Sequence, residues 1–156
     1  MPSGKASSHQ ALSGDGARRA GGRWNASGSF PVVYTALDVE TVDREFVRSL
    51  QRAGLPTKRT PPRRLATIAV QLSRVLDLTD AAVVAALGVA PADLVGEDVT
   101  LPQRLGGAAH YLGFEAIMAP SATGTGVVLV LFLDTRAPDS VIDVAMVDDG
   151  YAPRLP

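Results

Sequence analysis

Three arginines, Arg18, Arg19 and Arg23, lie in a glycine-rich polar stretch near the start of this sequence. Glycine lets a backbone approach an anionic ligand closely, and an arginine guanidinium can pair with two phosphate oxygens at once. A short apolar strand that ends at Tyr34 follows, and then a helix that carries Glu45. Because a carboxylate on that helix could act on whatever the arginines hold, these residue types predict a phosphate-binding loop beside an acid or base.

The helix that carries Glu45 is predicted from apolar residues at three- and four-residue steps, with Asp38 as its N-cap. Glu45 lies beside Phe46, at the edge of the apolar stripe, so its carboxylate could face a cleft. The alternative is a solvated glutamate that pairs with Arg48 or Arg52 on the same helix.

Ser121 lies in a glycine-containing loop between two apolar segments, where a hydroxyl can meet a ligand. The alternative is a turn residue that satisfies nearby backbone groups. The sequence has no GxSxG elbow, Walker A motif or GxGxxG fingerprint, so serine-hydrolase chemistry and the common nucleotide loops are not supported.

His110 is predicted to be a packing or hydrogen-bonded residue. The basic, proline-rich residues 55–64 predict a solvated loop, with a patch for phosphate or an acidic partner as the alternative.

The bulk composition suits one globular domain with a sizeable core, since the chain has 156 residues of which 46% are hydrophobic. A net charge of −1 gives no indication of nucleic-acid binding or of a basic membrane surface. There is no cysteine and there are two histidines, so a metal centre is not expected. The longest apolar run, residues 127–133, is far shorter than a membrane span. These features predict a soluble, cytoplasmic protein.

The segments around these residues predict a single α+β domain. The unbroken apolar run at residues 127–133 indicates a central strand, and the irregular order of elements favours mixed sheet elements with flanking helices over a doubly wound sheet. Residues 1–11 are small and polar and are expected to be loosely ordered, which leaves residues 12–156 as the domain. Further strands are expected at residues 30–34, 67–72, 114–118 and 141–147, and further helices at residues 81–87, from 91 and at 102–112.

Several separated blocks occur in a fixed order along the chain. The first is LSGDGARRAGGRWNASG at residues 12–28, and VLDLTD at residues 75–80 forms the middle. Between them lie YTA from Tyr34, then Glu40 with Thr41, and then Glu45. The last block consists of LGFE from residue 112, followed by APSA from residue 119. Together these blocks resemble the RES domain, a family named for arginine, glutamate and serine and found in toxins of bacterial toxin–antitoxin pairs.

The resemblance implies a fold similar to bacterial ADP-ribosyltransferase toxins, with NAD bound as the substrate in a cleft between sheet elements and with no metal. Members of the family break the nicotinamide N-glycosidic bond of NAD. They do so by hydrolysis, or by phosphorolysis with inorganic phosphate to give ADP-ribose-1″-phosphate. They are held inactive by a helix-turn-helix antitoxin of the Xre type, whose C-terminal part reaches the active-site entrance. No direct contact with nucleic acid or with a membrane is expected.

The resemblance also implies roles for the matching residues. Nicotinamide leaves as a neutral amine and strands positive charge on the ribose, so Glu45 is expected to stabilise an oxocarbenium-like transition state. Arg23 is expected to bind the pyrophosphate, helped by Arg18 or Arg19. Tyr34 is expected to stack on the nicotinamide or ribose.

The remaining matching residues are expected to complete the nucleotide site. Ser121 would donate a hydrogen bond to the bound nucleotide. Trp24 and Asn25 are expected to shape the loop, with a core anchor as the alternative for Trp24.

One difference from the family lies at the N-terminus, where only MPSGKASSHQA precedes the first block. Members of the family usually carry a further strand there, often with a basic or aromatic residue that contributes to the NAD pocket. The alternatives are a mis-called start codon, a pocket that other residues complete, or a missing edge strand that weakens both folding and activity. The short N-terminus leaves one alternative function open, a catalytically inactive, N-terminally truncated remnant that only binds its antitoxin. The same fold and glutamate permit a second alternative, a mono-ADP-ribosyltransferase that acts on a macromolecule.

Overall fold

The computed structural model describes residues 10–58 and 60–154. Residues 1–11 were predicted to be loosely ordered, and residues 1–9 of that segment lie outside the described residues. The division at residue 12 therefore stays a prediction. The helices are α1 (Asp15–Ala20), α2 (Val39–Arg52), α3 (Ala81–Ala86), α4 (Pro91–Val95) and α5 (Thr100–Tyr111). The strands are β1 (Val32–Ala36), β2 (Arg63–Gln71), β3 (Val75–Asp77), β4 (Ala116–Pro120), β5 (Val127–Phe132) and β6 (Val141–Tyr151).

The strands form two sheets. The larger has the order β1-β5-β4-β3, and the smaller pairs β2 with β6. Pairing is antiparallel except between β3 and β4, which are parallel. In the register of the larger sheet, Tyr34 on β1 lies opposite Val130 on β5. This combination of mixed and antiparallel sheets with separate helices confirms the predicted α+β class.

Strand β5 is central because it pairs with β1 along one edge and with β4 along the other, and both of its faces are covered. Val130 and Phe132 pack into one core cluster, with residues from the helices, including Leu94. Leu129 and Leu131 point to the other face, where Ile142 of β6 packs against them. Side chains alternate along a strand, so a strand covered on both faces must be apolar throughout. The predicted central position of this strand is confirmed.

Helix α2 begins where predicted, because the Asp38 side chain accepts a hydrogen bond from the backbone N–H of Thr41 at 2.8 Å. Its buried positions include Asp43 and Val47. The Asp43 carboxylate accepts hydrogen bonds from the Tyr151 hydroxyl at 2.8 and 2.9 Å, which ties the end of β6 to this helix. Helix α2 is therefore anchored to β6 through Asp43, which precedes Glu45 by two residues.

Two features differ from the sequence predictions. Part of the glycine-rich stretch is not a loop but helix α1, which has the acidic Asp15 in its first turn and the basic Arg18 and Arg19 in its last, an arrangement that suits the helix dipole. Strand β3 was not predicted, because three residues beside a turn carry too weak a pattern. The remaining helices and strands were predicted, with ends displaced by a few residues, and β6 extends to Tyr151. No helix among residues 10–58 and 60–154 is long and apolar enough to cross a membrane.

Glu115 is a buried carboxylate that joins two loops next to the sheet. It is 1% exposed, and its oxygens accept hydrogen bonds from the backbone N–H groups of Ser73 at 2.7 Å, Arg74 at 2.9 Å and Ala137 at 2.8 Å. Burial opposes ionisation, but the Ser140 side chain and these amides outweigh it and lower the pKa of Glu115 to about 2. The carboxylate therefore stays charged and holds these loops together.

We expect Glu115→Gln to lower the free energy of unfolding by about 3 kcal/mol, because an amide NH2 would face backbone donors that then lack an acceptor. Urea denaturation measures this, with the exposed Glu40→Gln as the matched control that changes stability by less than about 0.5 kcal/mol. The pKa is depressed on folding from 4.5, so the contribution of Glu115 is complete above about pH 4.5 and is lost as pH falls toward 2. Equal stability of the two variants at pH 7 would contradict this role.

Candidate functional site

A cavity of about 640 Å³ lies between helix α2, strand β1 and the loop that follows α1. Its walls bring together residues far apart in sequence, including Arg23, Tyr34, Glu45 and Pro120. This volume is in the range of cavities that hold a small organic ligand. The further lining residues are Ala17, Gly21, Gly22, Trp24, Thr35, Ala36, Val42, Arg48, Ser49, Arg52, Ala53, Ala122 and Val128.

Tyr34 presents its ring to this cavity while its hydroxyl is held by the loop after α1. The hydroxyl donates to Asn25 Oδ1 at 2.6 Å and accepts from the backbone N–H of Trp24 at 3.0 Å. Burial of the hydroxyl raises the pKa of Tyr34 to about 12, against the lowering effect of the hydrogen bonds, so the phenol is neutral at physiological pH. A Cβ at Gly22 would collide with this hydroxyl, so glycine is required there. The ring is thus held in one orientation.

Arg23 is fixed by carbonyl groups at the C-terminal end of helix α4. Its Nη1 donates to the carbonyl oxygen of Gly96 at 2.7 Å and, more weakly, to that of Leu94 at 3.3 Å. Burial lowers the pKa of Arg23, and the positive charges of Arg48 and Arg52 lower it further, although Glu45 acts in the opposite direction. The guanidinium therefore faces the cavity from a fixed position, in a field that already favours an anion.

Glu45 accepts a hydrogen bond from the Ser121 hydroxyl at 2.7 Å. Ser121 is 2% exposed and its oxygen also accepts from the backbone N–H of Thr123 at 3.1 Å. A serine hydroxyl has one proton to donate, and here that proton points at the carboxylate. Glu45 lines the cavity, which agrees with the prediction that it faces a cleft, and Ser121 orients it from behind.

The loop that carries Ser121 is held against α2 at a second point. Arg44 donates to the carbonyl oxygen of Thr125 at 3.3 Å and to Thr41 Oγ1 at 3.0 Å. Gly126 has a φ of +89°, and a Cβ there would collide with the Thr41 side chain. A glycine is therefore required for the loop to approach the helix closely enough for the contact between Ser121 and Glu45.

Two arginines of the cavity were not predicted as site residues. Arg48 and Arg52 follow Glu45 by three and seven positions, which places all three on one face of α2. Their spacing from Glu45 made them candidate ion-pair partners of that residue, but Arg48 instead pairs with Glu97 at 2.9 Å. The helical spacing was the signal that could have identified them, and the sequence did not indicate which partner each would have.

The predicted site residues do not all meet in the cavity. Arg18 is exposed, forms an ion pair with Asp15 at 3.6 Å and does not line the cavity; Arg19 is also outside it. Asn25 is fully buried, and its Nδ2 donates to the carbonyl oxygen of Ala17 at 2.8 Å, so it shapes the loop. Trp24 is 1% exposed and belongs to the core, which agrees with the alternative of a core anchor.

His110 lies away from the cavity and has a packing role. Its ring stacks on Phe30 with centroids 4.0 Å apart, and its Nε2 bonds to Asp134 at 2.9 Å. The prediction of a packing or hydrogen-bonded histidine is confirmed. Among the residues that the structure describes, no three His, Cys, Asp or Glu side chains are grouped to hold a metal.

The chemical character of the cavity follows from its charges. One carboxylate, Glu45, lies among three guanidinium groups, and Tyr34 supplies an aromatic face. Such a site can bind an anionic ligand through the arginines, stack a flat ring on the tyrosine and stabilise a positive charge that develops next to the glutamate.

Comparison with known proteins agrees with this picture. A family model described as the RES domain matches residues 2–153. Over 130 residues the chain is 36% identical to the NAD(+) phosphorylase MbcT of Mycobacterium bovis (strain ATCC BAA-935 / AF2122/97) and, equally, to that of Mycobacterium tuberculosis (strain ATCC 25618 / H37Rv), with 82% of this chain and 70% of each relative covered. The crystal structure of the M. tuberculosis MbcT–MbcA toxin–antitoxin complex matches with a TM-score of 0.78 and 34% identity, covering 90% of this chain and 78% of that chain.

We expect Tyr34→Phe to lower the free energy of unfolding by about 2 kcal/mol, because the backbone N–H of Trp24 and the side-chain Oδ1 of Asn25 would each lose a buried partner. Hydrogen exchange of the Trp24 N–H reports the local effect and should accelerate more than exchange in β4. Tyr111→Phe is the matched control, since Tyr111 is 88% exposed. Unchanged exchange at Trp24 in Tyr34→Phe would show that the hydroxyl does not hold the loop.

Proposed function

Because this chain belongs to the RES domain family, as its sequence blocks predicted, we propose that it is an NAD-depleting toxin that cleaves the nicotinamide N-glycosidic bond. The proposal is supported by 36% identity to NAD(+) phosphorylases over most of the chain. The observation that carries it is the carboxylate of Glu45, held by Ser121 at 2.7 Å in a cavity that also contains Arg23 and Tyr34.

In the proposed reaction the bond between C1 of the nicotinamide ribose and the ring nitrogen breaks, and its electron pair goes to the nitrogen. Nicotinamide leaves neutral and positive charge remains on the ribose. Glu45 stabilises that charge, and a fixed carboxylate loses less energy to reorganisation than water does. Ser121 keeps the carboxylate in position, since its proton is already used on Glu45. This differs from the direct hydrogen bond to the nucleotide that the resemblance implies for Ser121.

The other residues hold the substrate. Tyr34 offers its ring to the nicotinamide or ribose, and its hydroxyl is anchored away from the cavity. Arg23 contributes a guanidinium for the pyrophosphate, and two carbonyl groups fix its orientation. A bound pose set in this way lowers the entropic part of the barrier.

Phosphate is the nucleophile that we propose, because the curated relatives are NAD(+) phosphorylases. An oxygen of inorganic phosphate forms the new bond to ribose C1 as the bond to nicotinamide breaks, and the product is ADP-ribose-1″-phosphate. Water in the same position would give ADP-ribose. Excess positive charge in the cavity favours the anionic nucleophile over water.

We also propose that a protein antitoxin holds the chain inactive, since the solved relative is a toxin–antitoxin complex. A helix-turn-helix antitoxin of the Xre type is the partner that the RES resemblance implies. Co-expression of a small helix-turn-helix protein from a neighbouring gene should restore growth of cells that produce this chain. Growth arrest that persists with a stable, bound antitoxin would contradict the proposal.

We expect the purified chain to consume NAD and release equimolar nicotinamide, and Glu45→Gln to slow this by about 10²–10³-fold. Glutamine keeps the shape and can still accept from Ser121, so the loss would report the charge. Glu40→Gln on the same helix is the matched control and should retain full activity. Folded Glu45→Gln with the activity of the unchanged chain would refute the assignment.

Ser121→Ala should lower the rate by about tenfold, the equivalent of one hydrogen bond to a charged group. If Ser121 acts through Glu45, its removal adds little in the Glu45→Gln background, because residues in one network are not additive. The four rates of this double-mutant cycle measure the coupling. Independent effects would instead indicate a direct contact between Ser121 and the nucleotide.

A further inference from the structure

Helix α2 presents two arginines to the cavity that have no role in the reaction described above. Arg48 and Arg52 are one helical turn apart and line the cavity with Arg23. Their charges lower the pKa of Arg23, which shows that the three guanidinium groups lie within electrostatic reach of one another. Like charges gathered in a cavity repel, so this arrangement is stabilised when an anion lies between them.

Besides Glu45, a second carboxylate meets this face of α2: Glu97, which follows helix α4. Its carboxylate accepts from Arg48 Nη2 at 2.9 Å. The Arg48 side chain is 16% exposed, whereas that of Glu97 is 82% exposed. A surface carboxylate held by one contact is bound weakly and can be displaced at little cost. Among the residues that the structure describes, no carboxylate pairs with Arg52.

We propose that Arg48 and Arg52 form a phosphoryl-binding subsite and that Glu97 is its internal competitor, which a phosphoryl group displaces from Arg48. The subsite takes either the pyrophosphate of a dinucleotide or inorganic phosphate, since both present the oxygens that a guanidinium binds in pairs. That the bound phosphoryl group belongs to NAD or to its phosphate co-substrate rests on the proposed function. The subsite itself is a property of the arginines.

Glu97 gives the proposal a test in which binding improves. Removing a competitor increases anion affinity, whereas removing an ion pair that holds Arg48 in its binding position lowers it. We expect Glu97→Gln to lower the Kd for inorganic pyrophosphate about three- to fivefold at low ionic strength, which is the effect of one exposed ion pair. Arg52→Gln should raise that Kd about tenfold, and Arg52→Lys should recover part of the loss. Asp93→Asn, in the same short helix region as Glu97, is the matched control and should leave the Kd unchanged.

The experiment is calorimetric titration of the full chain and these variants with inorganic pyrophosphate and, separately, with inorganic phosphate. Because titration requires no turnover, it tests the subsite separately from the proposed NAD cleavage. If these affinity changes occur but the chain leaves NAD intact, the subsite is supported and the proposed function is wrong. Equal affinities for the unchanged chain, Glu97→Gln and Arg52→Gln would overturn the subsite. Weaker binding by Glu97→Gln would also overturn it, since Glu97 would then support the site.

Kinetics distinguish the two sources of the phosphoryl group. The rate of NAD loss is measured against NAD at saturating phosphate and against phosphate at saturating NAD. If the subsite holds the nucleophile, Arg52→Gln raises the KM for phosphate about tenfold and Glu97→Gln lowers it. If it holds the dinucleotide, the same opposite changes occur in the KM for NAD. Variants that alter kcat alone would contradict a binding subsite.

Discussion

The hydrogen bond between Ser121 and Glu45 is the contact on which the site depends, because it joins two parts of the chain that approach the cavity from different directions. Glu45 is carried by α2, and Ser121 by the loop between β4 and β5. Their approach requires Gly126, which leaves room for the Thr41 side chain, and Arg44, which holds the same loop. Strands β4 and β5 of the larger sheet fix the two ends of this loop. The position of Ser121, and through it that of the Glu45 carboxylate, therefore follows from the packing of β5 on both faces.

The opposite wall of the cavity is built by a different arrangement of polar contacts. The hydroxyl of Tyr34 is hydrogen-bonded to the loop after α1, and one nitrogen of Arg23 donates to carbonyl groups at the C-terminal end of α4. Both side chains are thereby held before any ligand binds, and each keeps one functional surface toward the cavity. For tyrosine this surface is the ring, and for arginine it is the remaining guanidinium nitrogens. In the proposed function, these preorganised side chains bind the substrate, whereas Glu45 takes part in the chemistry.

Much of the fold could be predicted from the sequence where the signal is local. The N-cap of α2 at Asp38, the helix after Asp80 and the apolar run of β5 each have a pattern within a few residues. Helix α1 was missed because glycines on both sides of it suggested a loop. In the site, Glu45 and Tyr34 could be placed by sequence. The partners of Ser121 and Arg48 could not, since they lie 76 and 49 positions away and are set by tertiary packing.

The proposed reaction transfers the ADP-ribosyl group of NAD to phosphate in this cavity. Incubation of the purified chain with NAD and ¹⁸O-labelled inorganic phosphate, followed by mass spectrometry of the products, tests it directly. We expect nicotinamide and an ADP-ribose phosphate that retains all the labelled oxygens of the phosphate, because the new bond forms from phosphate oxygen to ribose carbon. Unlabelled ADP-ribose alone would contradict the phosphorolytic step, and intact NAD in the presence of the folded chain would contradict the function.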